Sequence, residues 1–401
     1  MKGITRRDFI KKGCIFCLGL GFSDFIFSTL KKNNAFALIG ERRGMREAKF
    51  YKSIDEETVQ CLLCPRGCTL SNGQRSFCRV REPEDGKLYS LVYGLICSSH
   101  IDPIEKKPVF HMLPGSTAFS IATAGCNLRC KFCQNWAISQ VRPEEVENIY
   151  IPPEDLVKEA LHSGCASIAY TYSEPTVFYE YVLDTAKLAR EAGIKNISKT
   201  SGFINPEPAK LLAGYLDAAN IDLKGFDNQY LEEMCSQKLE PLLKAIKTYK
   251  DSGVWVELTN LVLPGLNDDM KKIQEMCRWI KSNLGVDTPL HFSRFTPMYK
   301  MTHLAPTPVS TLEEAKEVAL GVGLNYVYIG NVPGHEAENT YCPSCRKLII
   351  GRRGFFLNQY HLNKNSCGFC GRKIAGIWPD VSPLTRLSRY QSGSSSLKLL
   401  G

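Results

Sequence analysis

Between residues 118 and 335 the chain alternates short apolar runs with stretches of helical periodicity. The runs are Ala118–Ala122, Ser167–Tyr172, Asn196–Thr200, Ala218–Leu223, Val254–Leu263, Leu290–Phe295 and Tyr326–Ile329. Short, nearly unbroken apolar runs are the pattern of strands buried on both faces. The clearest helix begins at Ser173-Glu174-Pro175, an N-cap with a proline in the first turn, and ends at Gly193. Phe178, Tyr181, Val182, Leu188 and Ala189 form its buried stripe. Repeated strand–helix units predict an α/β fold on a parallel sheet, closed or partly closed, with chemistry at the carboxyl ends of the strands.

The flanks read differently. Thr5-Arg6-Arg7-Asp8-Phe9-Ile10-Lys11 has the twin-arginine pattern, a moderately apolar stretch runs from Gly13 to Leu30, and Ala35-Phe36-Ala37 supplies a small-x-small cleavage signature. Asp24 and three glycines make that stretch too weak for a membrane span. Residues 1–37 are therefore expected to be a signal segment that sends the protein to a periplasmic or other extracytoplasmic site. The alternative is a basic amphipathic anchor on a cytoplasmic or membrane-tethered protein. Residues 38–117 form a linker and a Cys-rich module with few strong periodicities, 118–335 the strand–helix region, 336–380 a second Cys-rich module, and 381–401 a Ser-rich, flexible tail.

Composition changes this picture in one respect. Of 401 residues, 44% are hydrophobic and 23% charged, which describes an ordered globular protein with room for a barrel and appendages. The net charge of +9 is modest, and more than half of it sits in the first 37 residues. No basic run with interleaved aromatics occurs, so nucleic-acid binding is not expected. The 17 cysteines are the exception, because most fall into three close-spaced clusters. Such spacing points to metal sites, since near neighbours rarely staple distant loops. Cys97, Cys165, Cys235 and Cys277 stand alone and read as small buried hydrophobes.

The central cluster follows the first apolar run: Gly125-Cys126-Asn127-Leu128-Arg129-Cys130-Lys131-Phe132-Cys133-Gln134-Asn135-Trp136. Three thiolates so spaced can each bind a different iron of a cubane. Ferredoxin loops add a fourth cysteine three residues on, but here the next is Cys165, which leaves one iron without a local ligand. An open metal position suits catalysis.

C-x3-C-x-Φ-C, with Phe132 before the third cysteine, resembles the radical S-adenosylmethionine (SAM) superfamily. Within it the chain resembles the branch of pyruvate formate-lyase-activating enzyme, and there the radical SAM component of the AmmeMemoRadiSam system. The resemblance spans about residues 45–378 and rests also on Cys61-Leu62-Leu63-Cys64-Pro65-Arg66, Leu91-Val92-Tyr93-Gly94, Asp102-Pro103-Ile104-Glu105-Lys106-Lys107-Pro108, Tyr170-Thr171-Tyr172-Ser173-Glu174-Pro175-Thr176 and Gly330-Asn331-Val332-Pro333-Gly334-His335. It implies a partial (βα)6 barrel in which a [4Fe–4S] cluster on Cys126, Cys130 and Cys133 binds SAM through the amino and carboxylate groups of SAM. Reductive cleavage there yields a 5′-deoxyadenosyl radical that abstracts hydrogen from a substrate.

The same resemblance suggests the SAM contacts. Ser173 and Glu174 stand where the superfamily holds the SAM ammonium, although Glu174 also reads as an acid at a helix start. Thr200-Ser201-Gly202 resembles the family's Thr-Asn-Gly turn. Asp222-Leu223-Lys224 puts two charges on one inward face, with Lys224 toward the SAM carboxylate; the alternative is a plain ion pair. Lys199 departs from the family, where an aspartate at that place helps bind a monovalent cation, so that cation site is in doubt. Asn331 follows a strand end where adenine can approach the backbone. His291 reads equally as a ligand contact or a satisfied core histidine.

Two further Cys sets complete the pattern. Cys61, Cys64, Cys68 and Cys78 fit either tetrahedral zinc or a second iron–sulfur cluster, with zinc slightly favoured for economy. Cys342, Cys345, Cys367 and Cys370 form two C-x2-C knuckles, the zinc-ribbon pattern. Expected partners are a low-potential electron donor such as flavodoxin or ferredoxin and, by resemblance to activating enzymes, a protein substrate. Membrane contact is expected only through the signal segment. The competing function is a multi-cluster electron-transfer protein without SAM chemistry.

Overall fold

The computed structural model describes residues 43–384; the signal segment expected at 1–37 and most of the tail lie outside the described residues. The main sheet has eight strands: β1 (Ser98–Pro103), β2 (Thr117–Ala122), β3 (Ser167–Tyr170), β4 (Lys195–Thr200), β5 (Ala218–Asp222), β6 (Trp255–Val262), β7 (Leu290–Arg294) and β8 (Val327–Gly330). They lie in sequence order, with β1 and β8 at the two edges. From β2 to β8 every neighbouring pair is parallel. The crossovers are α1 (Pro153–His162), α2 (Tyr179–Glu191), α3 (Pro206–Ala213), α4 (Asn228–Cys235) with α5 (Leu239–Asp251), α6 (Met270–Leu284) and α7 (Val309–Val322). This is the partial (βα)6 barrel.

All seven apolar runs are strands, with ends within two residues of the expected ones. β1 was not expected. It pairs antiparallel with β2, and Asp102 is its one buried residue, so an edge strand leaves no apolar run to read. The helix expected from Ser173 is also corrected. A one-turn 3-10 segment, Pro175–Phe178, precedes α2, and the cap is Glu174, whose carboxylate accepts from the Thr176 N–H at 3.1 Å. Phe178, Tyr181, Val182 and Ala189 are fully buried as expected, and Leu188 partly.

The N-terminal module consists of two small antiparallel sheets, Arg46–Glu47 with Arg81–Glu84 and Lys87–Ser90, and Tyr51–Ser53 with Thr58–Cys61 and Thr69–Ser71. The C-terminal module pairs Thr340–Tyr341, Leu348–Arg353 and Phe356–Tyr360 beside a short hairpin, Leu362–Asn363 with Ser366–Cys367. Its Cys342, Ile349, Cys367 and Ile374 pack on Phe110, Tyr326 and Tyr328 of the barrel. No described helix is long and apolar enough to cross a membrane.

Candidate active site

The cysteine loop leaves β2 at its carboxyl end. Its first residue must be glycine: Gly125 has φ +91°, and a Cβ there would stand 2.5 Å from Val80 Cγ1 and 2.6 Å from the Cys78 carbonyl. The N-terminal module thus lies directly against the loop. The far side is pinned by the end of α4, where Arg129 N donates to the Cys235 carbonyl at 3.0 Å and Lys131 N to that of Met234 at 2.9 Å. Cys126 Sγ accepts from Leu128 N at 3.3 Å, and Cys133 Sγ lies 3.2 Å from Ser139 Oγ. Phe132 is buried among Leu128, Phe203, Tyr230 and Phe295, which anchors the loop without exposing its aromatic ring.

Cys235 joins the site, contrary to its reading as an isolated thiol. It is fully buried, but its thiol lies near enough to Cys130 to act on its ionisation. Cys235, together with the Lys224 ammonium, lowers Cys130 below the ordinary thiol range against the opposing effect of burial. Nothing local marks Cys235, since only the packing of α4 on the loop brings it there. Cys126 is pushed well up, first by burial and then by the negative charge of Glu174.

Glu174 is 2% exposed and saturated by protein donors. One oxygen accepts from Thr176 N, Thr176 Oγ1 (2.7 Å) and Thr200 Oγ1 (2.6 Å); the other from Ser201 N (2.8 Å) and Ser201 Oγ (2.6 Å). It therefore ties the end of β3 to the turn after β4. Next to it, Ser173 Oγ is buried with no partner. Gly202, at φ +66°, is required by packing behind the turn, because a Cβ would meet Ile221 and Leu242 at 2.8 Å.

Asp222 is held by two ammonium groups. Lys224 Nζ lies 2.5 Å from Oδ2, and Lys199 Nζ pairs with Oδ1 and also donates to Asn220 Oδ1 at 2.7 Å. Although burial opposes it, these two cations keep Asp222 down at about 2. Lys199 therefore supplies a positive charge at Asp222 from the chain itself. Lys224 is held above its ordinary range, against burial, by Asp222 and then by Cys130 and Cys235.

Asn331, in the left-handed region at φ +61°, donates to Ser293 Oγ at 2.9 Å and to the Arg294 carbonyl at 3.2 Å, linking β8 to β7. His291 is the satisfied core histidine. Its Nε2 lies 2.7 Å from Glu257, and its ring stacks on Tyr328, near the amino ends of the strands and away from the cysteine loop. Tyr172, which the residue pattern did not single out as a site residue, sits at φ +61°. Its hydroxyl donates to Asp102, and its carbonyl accepts from Asn135 at 2.7 Å, fastening β3 to the cysteine loop.

Three thiols on one loop, an ammonium against them and an unpartnered buried hydroxyl suit a [4Fe–4S] cluster with SAM beside it. The C-terminal cysteines form a different kind of site. Cys342, Cys345, Cys367 and Cys370 bring all four sulfurs within 4.8 Å of one another, as a single metal ion requires.

The chain is similar to known proteins. Residues 120–279 match the Radical SAM superfamily. The protein MJ0808 of Methanocaldococcus jannaschii is 48% identical over 332 residues, covering 82% of this chain and 99% of its own. The pyruvate formate-lyase-activating enzyme of Clostridium pasteurianum is 23% identical over 173 residues, covering 41% of this chain and 69% of its own. A solved radical SAM methyltransferase from Sphaerobacter thermophilus covers 72% of this chain and 77% of its own, at 12% identity and a TM-score of 0.42. The chain belongs to the radical SAM superfamily.

Proposed function

We propose that this enzyme abstracts hydrogen from a partner protein, in the manner of an activase, using an electron from a low-potential flavodoxin or ferredoxin. As a radical SAM enzyme it works with a [4Fe–4S] cluster and SAM, which together supply a 5′-deoxyadenosyl radical. The observation that carries the reading is the convergence at the strand ends of Cys126, Cys130 and Cys133, the Lys224 ammonium and the free Ser173 hydroxyl.

Each of the chain's own groups has a task in this reading. The cysteines would hold the cluster, and Lys224, which stands near Cys130, would receive the carboxylate of SAM while offsetting the charge of the thiolates. Ser173 donates to or accepts from the ligand. Glu174 keeps the hydroxyls of Thr200 and Ser201 in fixed orientations. Leu128, Phe132, Phe203 and Phe295 exclude water, which protects a reactive radical from quenching. Support for a protein substrate comes from the relatives named as activating enzymes.

We assign zinc to the C-terminal site. Its cysteine sulfurs pair at 3.6 and 3.8 Å, against about 3.8 Å for the edge of a tetrahedron with 2.3 Å zinc–sulfur bonds. The twin-arginine pattern supports extracytoplasmic residence, which a fusion of residues 1–37 to a folded reporter tests: retention of the reporter in the cytoplasm removes the proposal.

The activity itself is tested on anaerobically reconstituted protein given dithionite and SAM. Release of 5′-deoxyadenosine, abolished in Cys130→Ala, is expected. A protein with its cubane intact that releases none is an electron-transfer protein instead. Incubation with a candidate partner should then give an organic-radical signal on that partner by electron paramagnetic resonance, and its absence across partners counts against a protein substrate.

A further inference from the structure

The N-terminal cysteines are arranged unlike the C-terminal four. Among the described residues, the C-terminal set is the one group of three or more Cys, His, Asp or Glu whose ligand atoms all lie within 4.8 Å of one another. Cys61, Cys64, Cys68 and Cys78 instead stand around the wall of a small cavity, with Ser76 and Arg81 between them. Thiols spread around a cavity are poorly placed for one tetrahedral ion, whose four sulfurs must crowd together. They suit a cubane, which offers each thiolate an iron of its own.

The rest of the wall points to the same occupant. Arg81 is 1% exposed, and its Nη2 donates to Glu180 at 2.6 Å. Its Nε and Nη1 are buried without a partner on this thiol-lined wall. Buried N–H groups rarely stay unpaired. Sulfides and thiolates of an anionic cluster are acceptors for both. Ser76 Oγ, 3.1 Å from Cys78 Sγ, adds a hydroxyl.

The cavity also borders the loop that carries the first cluster. Asn127 contributes to the cavity wall, and its backbone is joined directly to Cys126. The guanidinium of Arg66 lies in reach of the charges of Cys64 and Cys68 on one hand and of Cys126 and Cys130 on the other. The two cysteine sets thus share Asn127 and Arg66 as neighbours.

We propose that Cys61, Cys64, Cys68 and Cys78 hold a second [4Fe–4S] cluster, faced by Arg81, through which the electron for SAM cleavage enters. The first half stands on the cavity alone; the second rests on the radical SAM reading. Held by these cysteines, such a cluster would take one electron from a low-potential carrier, give the same electron on toward the Cys126–Cys133 loop and so return to its oxidised state. No bond or proton is exchanged in the relay. The proposal takes the iron–sulfur alternative over the zinc that economy slightly favoured.

Full-length protein reconstituted anaerobically should contain about eight irons, eight sulfides and one zinc per chain. Cys61→Ala/Cys64→Ala should lose half the iron and keep its zinc. It should still release 5′-deoxyadenosine with dithionite, but lose that activity when reduced ferredoxin is the donor. Cys130→Ala should lose the other half of the iron and all cleavage with either donor.

Half the expected iron with two zincs in the wild type overturns the second cluster. Full ferredoxin-driven cleavage in the double variant overturns its role as the electron entry. A full iron count with no cleavage in any form overturns the radical SAM reading and leaves the second cluster standing. Should the double variant fail to fold, Arg81→Lys serves instead. It keeps a charge for Glu180 but removes N–H donors from the cavity, and should shift the midpoint potential of one of two clusters. Unchanged potentials overturn the proposal.

Discussion

Replacing Glu174 by glutamine separates two roles that one carboxylate can play. In the wild type both oxygens accept, one from Thr176 N and two hydroxyls, the other from Ser201 N and Oγ. An amide keeps one acceptor and turns the other into a donor. Whichever way it is flipped, it confronts one buried backbone N–H, of Thr176 or of Ser201, with an NH2 group. The hydroxyls can rotate to accept, but the backbone N–H cannot. Leaving it unpaired costs about 1–3 kcal/mol, and loss of the charge from the remaining bonds adds to this. Glu174→Gln should therefore lower unfolding stability by about 2–4 kcal/mol, measured by denaturant titration of protein with its clusters in place. It should also weaken SAM binding, because the Ser201 turn is no longer fixed. A variant as stable as the wild type yet unable to bind SAM refutes the scaffold role and leaves Glu174 as a direct ligand contact.

Lys199 supplies the charge at Asp222 internally, so 5′-deoxyadenosine formation should be indifferent to potassium or sodium in a choline buffer, whereas Lys199→Ala should become cation-dependent. His111, fully buried between the Ala375 carbonyl and the Tyr328 hydroxyl, is held down at about 4 by burial. The unfolded chain therefore takes up that proton first. Its stabilising effect is complete above the ordinary histidine pKa of about 6.5 and shrinks as pH falls toward 4, by about 2 kcal/mol between pH 6.5 and 5. Denaturant titrations at these two pH values should show the loss, and His111→Asn should flatten it. Chelation of the C-terminal metal, or Cys342→Ser, should release Cys342 and Cys367 from their packing on Phe110 and Tyr328, read as new proteolytic cuts beyond residue 339 with the barrel intact.

The barrel was legible because its strands are buried on both faces and so appear as unbroken apolar runs, such as Val254–Leu263. The cysteine loops were legible because metal spacing is local. What stayed hidden depends on contacts across the chain. Cys235 looks like any buried thiol until α4 is docked on the cysteine loop. β1 has no apolar signature because it is an edge strand. Position suggested that Glu174 sits at a strand end, but its five donors come partly from a turn 26 and 27 residues away. Lys199 was noticed as a departure from a family pattern, yet only the sheet register puts it beside Asn220 and Asp222. Zinc and iron–sulfur readings of Cys61–Cys78 were equally compatible with spacing, since spacing says nothing of how far apart four sulfurs finally stand.

The claim beneath all of this is that the Cys126–Cys133 loop leaves one iron free for SAM, even with the Cys235 thiol against Cys130. Electron–nuclear double resonance on the reduced protein, with SAM labelled at its amino nitrogen, reports on that iron directly. The account predicts a hyperfine coupling to the labelled nitrogen that appears on adding SAM, persists in Cys235→Ala and vanishes in Cys130→Ala. An intact reduced cubane showing no such coupling in the wild type, but gaining it once Cys235 is removed, would mean that a fourth cysteine closes the site.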